Sequence, residues 1–101
     1  MLNQFQGIGR VIKDPEVRTF VDEGKKKYSK FSIAIPRDRG DETDFLNITA
    51  WGNLAEPTVQ ILKKGSLVSV AGRLQIESKQ VGDSKTTFVD LQLERFYVLE
   101  S

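Results

Sequence analysis

Residues 44–51, DFLNITAW, alternate between two kinds of side chain with a period of two. That period is typical of a β-strand, because successive side chains of an extended chain point to opposite sides. One face is apolar enough to belong to a core and carries Leu46, Ile48 and Ala50. The other face carries Phe45, Asn47, Thr49 and Trp51. The segment therefore predicts a strand with two large aromatic rings outside the core.

Period-two patterns and turn residues divide the rest of the chain into further strands. The predicted strands are residues 2–12, 28–36, 44–51, about 66–77 and about 86–98. Residues 17–21 are expected to resume extended structure after the Pro-containing turn at 13–16, and residues 22–24 to form a hairpin tip. The last two strands are predicted to be joined by a polar loop, residues 78–85, with Gly82 and Asp83 at its tip.

One helix is predicted, over about residues 54–63, with Asn53 as N-cap and Glu56 as the return arm of a capping box. Its inward face is expected to carry Val59, Ile61 and Leu62. Gly65 is expected to supply the left-handed stop. Five strands with one helix between the third and the fourth is the order of an OB-fold, a small Greek-key barrel. Residues 1–101 are therefore predicted to form a single all-β domain with one short helix closing an end of the barrel.

The chain of 101 residues contains no Cys and no His, and this narrows its chemistry. Without them there is no disulfide, no thiol nucleophile, no imidazole base and no Cys or His metal site. The carboxylates lie in predicted turns and loops, so no catalytic residue, metal ligand or cofactor is predicted. No apolar run approaches a membrane span, and the N-terminus lacks the apolar core of a signal peptide. A cytoplasmic protein is expected.

The formal net charge of +1 hides an asymmetry along the chain. Residues 1–40 carry 9 basic and 5 acidic side chains, whereas residues 41–101 carry 6 basic and 9 acidic ones. The basic excess of residues 1–40 belongs either to a solvated surface or to a face that binds polyanions. Exposed rings interleaved with cations favour the second interpretation. Bases of a single strand stack on rings at about 1–3 kcal/mol each while Lys and Arg follow the phosphates.

Four stretches, in this order and spacing, resemble the bacterial-type single-stranded DNA-binding proteins. They are LNQFQGIGRVIKDPEVR at 2–18, FSIAIPR at 31–37, DFLNITAWGNLAE at 44–56 and LKKGSLVSVAGRLQ at 62–75. The resemblance covers nearly all of the chain. It implies an OB-fold, single-stranded DNA wrapped over a homo-tetramer or a dimer, and roles in DNA replication, recombination and repair.

The resemblance and the charge pattern together designate candidate DNA contacts. Phe45 and Trp51 fall where the family has aromatic residues, and Arg18 closes the family's Asp-Pro-Glu-x-Arg element. The candidate phosphate contacts are Arg10, Lys13, Arg18, Lys25, Lys26, Lys27, Lys30, Arg37, Arg39, Arg73 and Lys79. The loops at 25–30 and 37–39 are expected to contribute most. For each of these cations considered alone, an ordinary surface charge explains its presence as well as a phosphate contact does.

The chain departs from the family pattern in three places. Aromatics that the family usually has after the second strand and after its Gly-Arg-Leu segment are replaced by cations, near Arg37 to Arg39 and near Lys79. Binding is therefore expected to rest more on charge than is usual. The chain stops at Ser101, where family members commonly continue into a linker with an acidic tip, so a tail-less or truncated version is expected. Recruitment of replication and repair proteins through such a tip is not carried over.

Two other interpretations stay open. One is a primosomal or RNA-binding OB-fold module. The other is an OB-fold module for protein interaction that does not bind nucleic acid. For the preferred interpretation we expect the first strand to lie at a subunit contact. The expected setting is the bacterial cytoplasm or nucleoid, with a phage-infected cell or an organelle as variants.

Overall fold

The computed structural model describes residues 1–20 and 26–101. The elements are β1 (Phe5–Val11), β2 (Glu16–Phe20), β3 (Lys26–Pro36), β4 (Thr43–Trp51), α1 (Ala55–Ile61), β5 (Leu67–Val81) and β6 (Ser84–Glu100). A 3₁₀ turn, Gly52–Leu54, leads into α1. The sequence predicted five strands. Among the described residues there are six, because the extended segment after the Pro15 turn pairs with β3 as a strand of its own. The predicted hairpin tip at 22–24 and the candidate contact Lys25 lie outside the described residues.

The strands form a closed ring. Their order is β1-β5-β6-β4-β3-β2, and β1 also pairs with β3, so β2 is attached outside the ring. Strand β1 spans the closure: its pairing runs along β5 as far as Arg10↔Leu67 and then continues on β3 at Val11↔Ile33. Gly9 makes this passage possible, because a Cβ there would stand 2.6 Å from the Ala34 carbonyl oxygen. Glycine inside a strand often marks a bend, a bulge or a close backbone approach, and here it marks the last of these.

The interior of the ring is the core, and period two explains its composition. Its fully buried members are Val11, Phe31, Ile33, Ile48, Ala50, Leu62, Val68, Val70, Leu91 and Leu93. Leu46, assigned to the apolar face of its strand, and Ile35 are partly buried against this cluster. The alternation of β4 is confirmed with one exception. Thr49, assigned to the outer face, is only 3% exposed because β6 lies alongside it.

The start and the inward face of α1 differ from the prediction. The N-cap is Leu54 rather than Asn53, and no side chain caps the helix. Glu56 pairs with Lys27 instead of closing a capping box. The buried residues of α1 are Ala55 and Thr58, so the inward face continues to Leu62 and leaves Ile61 52% exposed. Ile61 was assigned inward wrongly, because the helix begins after a 3₁₀ turn and its phase is set by Ala55.

The largest difference concerns residues 78–85, which were predicted as a loop. They belong to a long hairpin in which β5 and β6 pair without interruption from Gly72↔Leu93 to Val81↔Ser84. The two-residue turn is the predicted tip, with Gly82 at φ 61°. Residues 75–89, called the arm here, extend beyond the last pairs that the hairpin makes with β1 and β4. Within the described residues, no helix has the length and apolarity needed to cross a bilayer.

Candidate nucleic-acid interface

A groove of about 820 Å³ runs between the arm and the outer face of β3 and β4. On the ring side it is lined by Tyr28, Lys30 and Trp51, with Lys13 and Arg18 at its margin. On the arm side it is lined by Glu77, Lys79 and Phe88, and its floor includes Thr49, Asp90 and Gln92. The volume lies in the range of roughly 300–1,000 Å³ in which proteins hold ligands. Rings and cations thus face one another across an open channel.

Trp51 stands on the ring side of the groove and is 39% exposed. Its neighbour across the strand pair is Tyr28, and the two ring centroids lie 5.0 Å apart at an interplanar angle of 37°. This distance is in the range of favourable aromatic pairs. The predicted exposure of Trp51 is confirmed. The tyrosine beside it was not among the candidates, so the aromatic surface here is wider than predicted.

Phe88 supplies a ring on the arm side. It projects from β6 opposite Glu77 of β5, is 48% exposed, and lies with its centroid 5.7 Å from the Lys79 Nζ. An ammonium at this distance from a ring face is attracted to it. The region near Lys79 was expected to have lost its aromatic residue. The adjacent strand places Phe88 there, so a cation and a ring share this part of the groove.

The floor of the groove holds a short chain of hydrogen bonds. The Trp51 Nε1 donates to the Gln92 Oε1 at 2.8 Å, and the Gln92 Nε2 donates to the Asp90 Oδ2 at 2.6 Å. Burial raises the pKa of Asp90 above its ordinary 3.8, with Glu77 adding to the rise and Thr49 and Lys30 opposing it. A carboxylate is therefore fixed in the middle of a groove whose margins carry both cations and the carboxylates Asp14, Glu16 and Glu77.

The structure brings five of the candidate contacts together in this groove. They are Trp51, Lys13, Arg18, Lys30 and Lys79. Arg18 lies 3.6 Å from Glu16, and Lys79 lies 3.8 Å from Glu77. Both pairs are exposed, and ion pairs of this kind contribute little to stability, so either cation could exchange its partner for a phosphate at small cost.

Other candidate cations lie elsewhere and are held by carboxylates. Arg37 pairs with Asp44 at 2.9 Å and also with Glu42. The hydrogen bond and charge of Asp44 raise the pKa of Arg37, and the same contact lowers the pKa of Asp44. This geometry weighs against the expectation that Arg37 is a leading phosphate contact.

Two further candidate cations, both within the basic segment 1–40, pair with glutamates of the acidic segment 41–101. Lys27 Nζ lies 2.9 Å from Glu56, and Arg10 lies 3.3 Å from Glu100. The hydrogen bond between Lys27 and Glu56 raises the pKa of the lysine and lowers that of the glutamate. The basic front and the acidic rear of the sequence thus meet in the folded chain.

The last candidates are spread over the outside of the ring. Lys26 and Arg39 are exposed at the start of β3 and in the turn after it. Arg73, a candidate phosphate contact, is exposed opposite Gln92, and β6 separates it from β4, the strand of Trp51. Phe45 is 67% exposed on the outer face of β4. It lies six residues before Trp51, roughly 20 Å along a strand, and outside the groove.

Sequence reasoning missed Tyr28, Phe88, Asp90 and Gln92, although a signal was present for each. Tyr28 alternates with the inward Phe31 and Ile33, and Phe88 alternates with the inward Leu91 and Leu93. Period two therefore placed both rings outside the core. Their convergence on Trp51 needed the strand register, which a single sequence does not contain.

Comparison with known proteins identifies the group to which this fold and groove belong. Residues 2–99 match the single-strand binding protein family. The chain belongs to the single-strand binding protein family. Among its relatives is the single-stranded DNA-binding protein 1 of Clostridium acetobutylicum, 33% identical over 93 residues that cover 87% of this chain and 84% of that protein. The single-stranded DNA-binding protein A of Bacillus subtilis is 37% identical, covering 99% of this chain and 60% of that protein.

A solved structure of the family matches the whole ring. It is a chain of the Plasmodium falciparum SSB complex with ssDNA, with a TM-score of 0.81 and 26% identity, covering 99% of this chain and 96% of that one. The match confirms the predicted OB-fold. In this family member, the described residues contain no group of three or more Asp or Glu side chains placed to hold a metal ion.

Proposed function

We propose that this chain binds single-stranded DNA without sequence specificity, through the groove between the arm and the outer face of β3 and β4. The observation that supports this most is the position of Trp51, an exposed ring beside a second ring and within a margin of four cations. Membership of the single-strand binding protein family and the match to a chain solved with ssDNA point the same way.

The mechanism is binding without chemistry. Bases stack on Trp51 and on Phe88, and phosphates meet Lys13, Arg18, Lys30 and Lys79 along the margins. Every base has a flat face, so this mode tolerates any sequence. Duplex DNA has its bases already stacked and paired, and it leaves no face for a ring to cover. The consequence is protection of single strands and removal of hairpins.

The test is a titration of the protein with oligo-dT of several lengths, followed by Trp fluorescence. Trp51 is the single Trp of the chain, so quenching reports this ring directly. We expect saturable quenching by single strands and much weaker binding of duplexes of equal length. Equal affinity for single-stranded RNA would favour the RNA-binding alternative. Absence of binding to all three would leave a module for protein interaction.

We further propose that the chain forms a homo-oligomer, a tetramer or a dimer, through the outer side of β1, β5 and β6. Ile8 is 52% and Tyr97 64% exposed, and they flank Ser69 in the paired register of these three strands. Several subunits sharing one DNA strand would raise the effective concentration of each.

The assembly is tested by measuring the mass in solution. We expect Ile8→Glu and Tyr97→Glu to lower it, since each places a charge in the contact. Ile76→Glu is the matched control, because Ile76 is 63% exposed on the arm and far from this face in register. A monomeric mass for the unaltered chain with full DNA affinity would contradict the shared-strand arrangement.

The biological setting that fits these proposals is the cytoplasm of a bacterium, with roles in replication, recombination and repair. Those roles follow from single-strand binding itself.

A further inference from the structure

An acidic side chain lies in the middle of the proposed DNA-binding groove. Asp90 is half-buried on the floor, between Asn47 of β4 and Gln75 of β5 in the strand register. A negative charge there repels phosphates, and its partial burial is itself unfavourable. Both effects are unfavourable in a protein that binds a polyanion. We therefore expect an interaction of Asp90 that offsets them.

The hydrogen-bond chain on the floor supplies that interaction. An indole N–H can only donate, so the atom of Gln92 that faces Trp51 at 2.8 Å must be the amide oxygen. The amide nitrogen of Gln92 then points away and needs an acceptor. The Asp90 Oδ2, at 2.6 Å, is that acceptor, and an ionised carboxylate can only accept. Each member of the chain therefore fixes the direction of the next.

We propose that Asp90 is a positioning residue that holds the Gln92 amide and, through it, the Trp51 ring in the orientation that stacks on a base. The ring sits at the groove edge, 39% exposed, where an unheld side chain would sample several rotamers. A ring fixed in advance loses less freedom when a base arrives. The inference deepens the proposed function and rests on it for its effect on DNA binding.

Two substitutions at one position separate positioning from charge. Asp90→Asn removes the charge but keeps an acceptor for Gln92. Asp90→Leu removes both while keeping the same number and branching of side-chain heavy atoms. If charge alone mattered, both variants would bind oligo-dT more tightly. We expect Asp90→Asn to bind at least as tightly as the unaltered chain, and Asp90→Leu to bind about 3- to 10-fold more weakly, the cost of ordering one freed side chain.

The free protein gives a second readout that does not depend on DNA. The single indole N–H resonance and the fluorescence anisotropy decay of Trp51 report its hydrogen bond and its mobility. We expect Asp90→Leu and Gln92→Leu to shift the resonance and to speed the local rotation, and Asp90→Asn to preserve both. Adding Asp90→Leu to Gln92→Leu should produce no further loss, because the first acts through the second.

Glu77→Gln is the matched control. It removes another negative charge from the groove, and Glu77 bonds to Gln75 and Lys79 rather than to Gln92. We expect its indole signals to equal those of the unaltered chain. An Asp90→Leu variant with unchanged indole signals would overturn the proposal, as would one that binds as tightly as Asp90→Asn. A chain that does not bind oligo-dT at all would overturn the proposed function, while the indole signals would still test the positioning.

Discussion

Trp51 is the residue on which base stacking is proposed to depend most. We expect Trp51→Ala to weaken oligo-dT binding by about 1–3 kcal/mol, the range found when a stacking ring is removed, and Trp51→Phe to restore part of it. The measurement is the anisotropy of a labelled oligonucleotide. Phe45→Ala is the internal comparison, because Phe45 is more exposed but lies outside the groove. A larger loss at Phe45 than at Trp51 would show that the groove is not the main site.

Asp90 makes binding depend on pH. Burial raises its pKa, so as the pH falls towards the ordinary aspartate value of 3.8 it takes up a proton before an ordinary aspartate does. DNA phosphates in the groove favour the protonated, neutral form, so affinity should rise as the pH falls through this range. The other charged groups that face it are Lys30 and Glu77.

The pH dependence is measured by titrating oligo-dT at a series of pH values at constant salt. Asp90→Asn should flatten the rise, because its side chain does not titrate. A rise of equal size in that variant would show that Asp90 is not the group responsible.

At the residue scale, alternation predicted which side chains face outward but not which of them meet. The exposure of Trp51 followed from period two in β4. The position of Phe88 beside Lys79 followed only from the register of the hairpin. The carboxylates that hold Arg37 could not be assigned from the sequence either, since both of its ion pairs depend on the path of the turn between β3 and β4.

Gly72 shows how closely two elements approach. A Cβ at this position would stand 2.0 Å from the Gln92 carbonyl oxygen, at an irregularity in the pairing of β5 with β6. The backbone atom cannot move aside alone, so Gly72→Ala should lower the free energy of unfolding by about 1–3 kcal/mol. Gly7→Ala is the matched strand control, because its nearest neighbour is the movable ring of Phe5. Thermal melts of both variants check this, and equal melting temperatures would contradict it.

At the element scale, apolar alternation located every strand of the ring and the single helix. It failed on the arm, because both faces of residues 78–80 are polar and no period of two is visible there. It failed at the start of α1, because the 3₁₀ turn replaces the capping interaction that Asn53 and Glu56 would have made. A periodic pattern of apolar residues shows which side chains are buried. The arm is held by backbone pairing between polar strands, and the start of α1 by a 3₁₀ turn, so neither leaves such a pattern.

Charge across the whole molecule sets the salt dependence of binding. Of the candidate cations, four line the groove, and two of these, Arg18 and Lys79, pair loosely with Glu16 and Glu77. Three others lie outside the groove: Arg10, Lys27 and Arg37 pair with Glu100, Glu56 and Asp44. Four phosphate contacts on a single strand predict a slope of about −3 for log affinity against log salt, at about 0.7 per contact. A poly-dT titration between low and high salt measures it. A flat slope would contradict any role of these cations, and a much steeper one would bring in the cations outside the groove.

At the scale of the whole molecule, the OB-fold was predictable because it requires only the order of the strands and the helix along the chain. The meaning of the charge asymmetry was not. The separation of basic front from acidic rear suggested two electrically different faces, but pairs such as Arg10 with Glu100 join residues from opposite ends of the chain. Folding therefore neutralises part of the asymmetry, and the groove itself is lined by four cations and four carboxylates.

The closure of the ring by β1 also bears on how the chain folds. Residues of β1 find their β5 partners some sixty positions later, as in the pair Gly7↔Val70. Contacts this distant in sequence are slow to form, because the conformational entropy of the long intervening segment is lost before the contacts stabilise the fold. On the ribosome, β1 must wait until more than half of the chain has been synthesised. Its edge is open to mispairing with other chains during that interval.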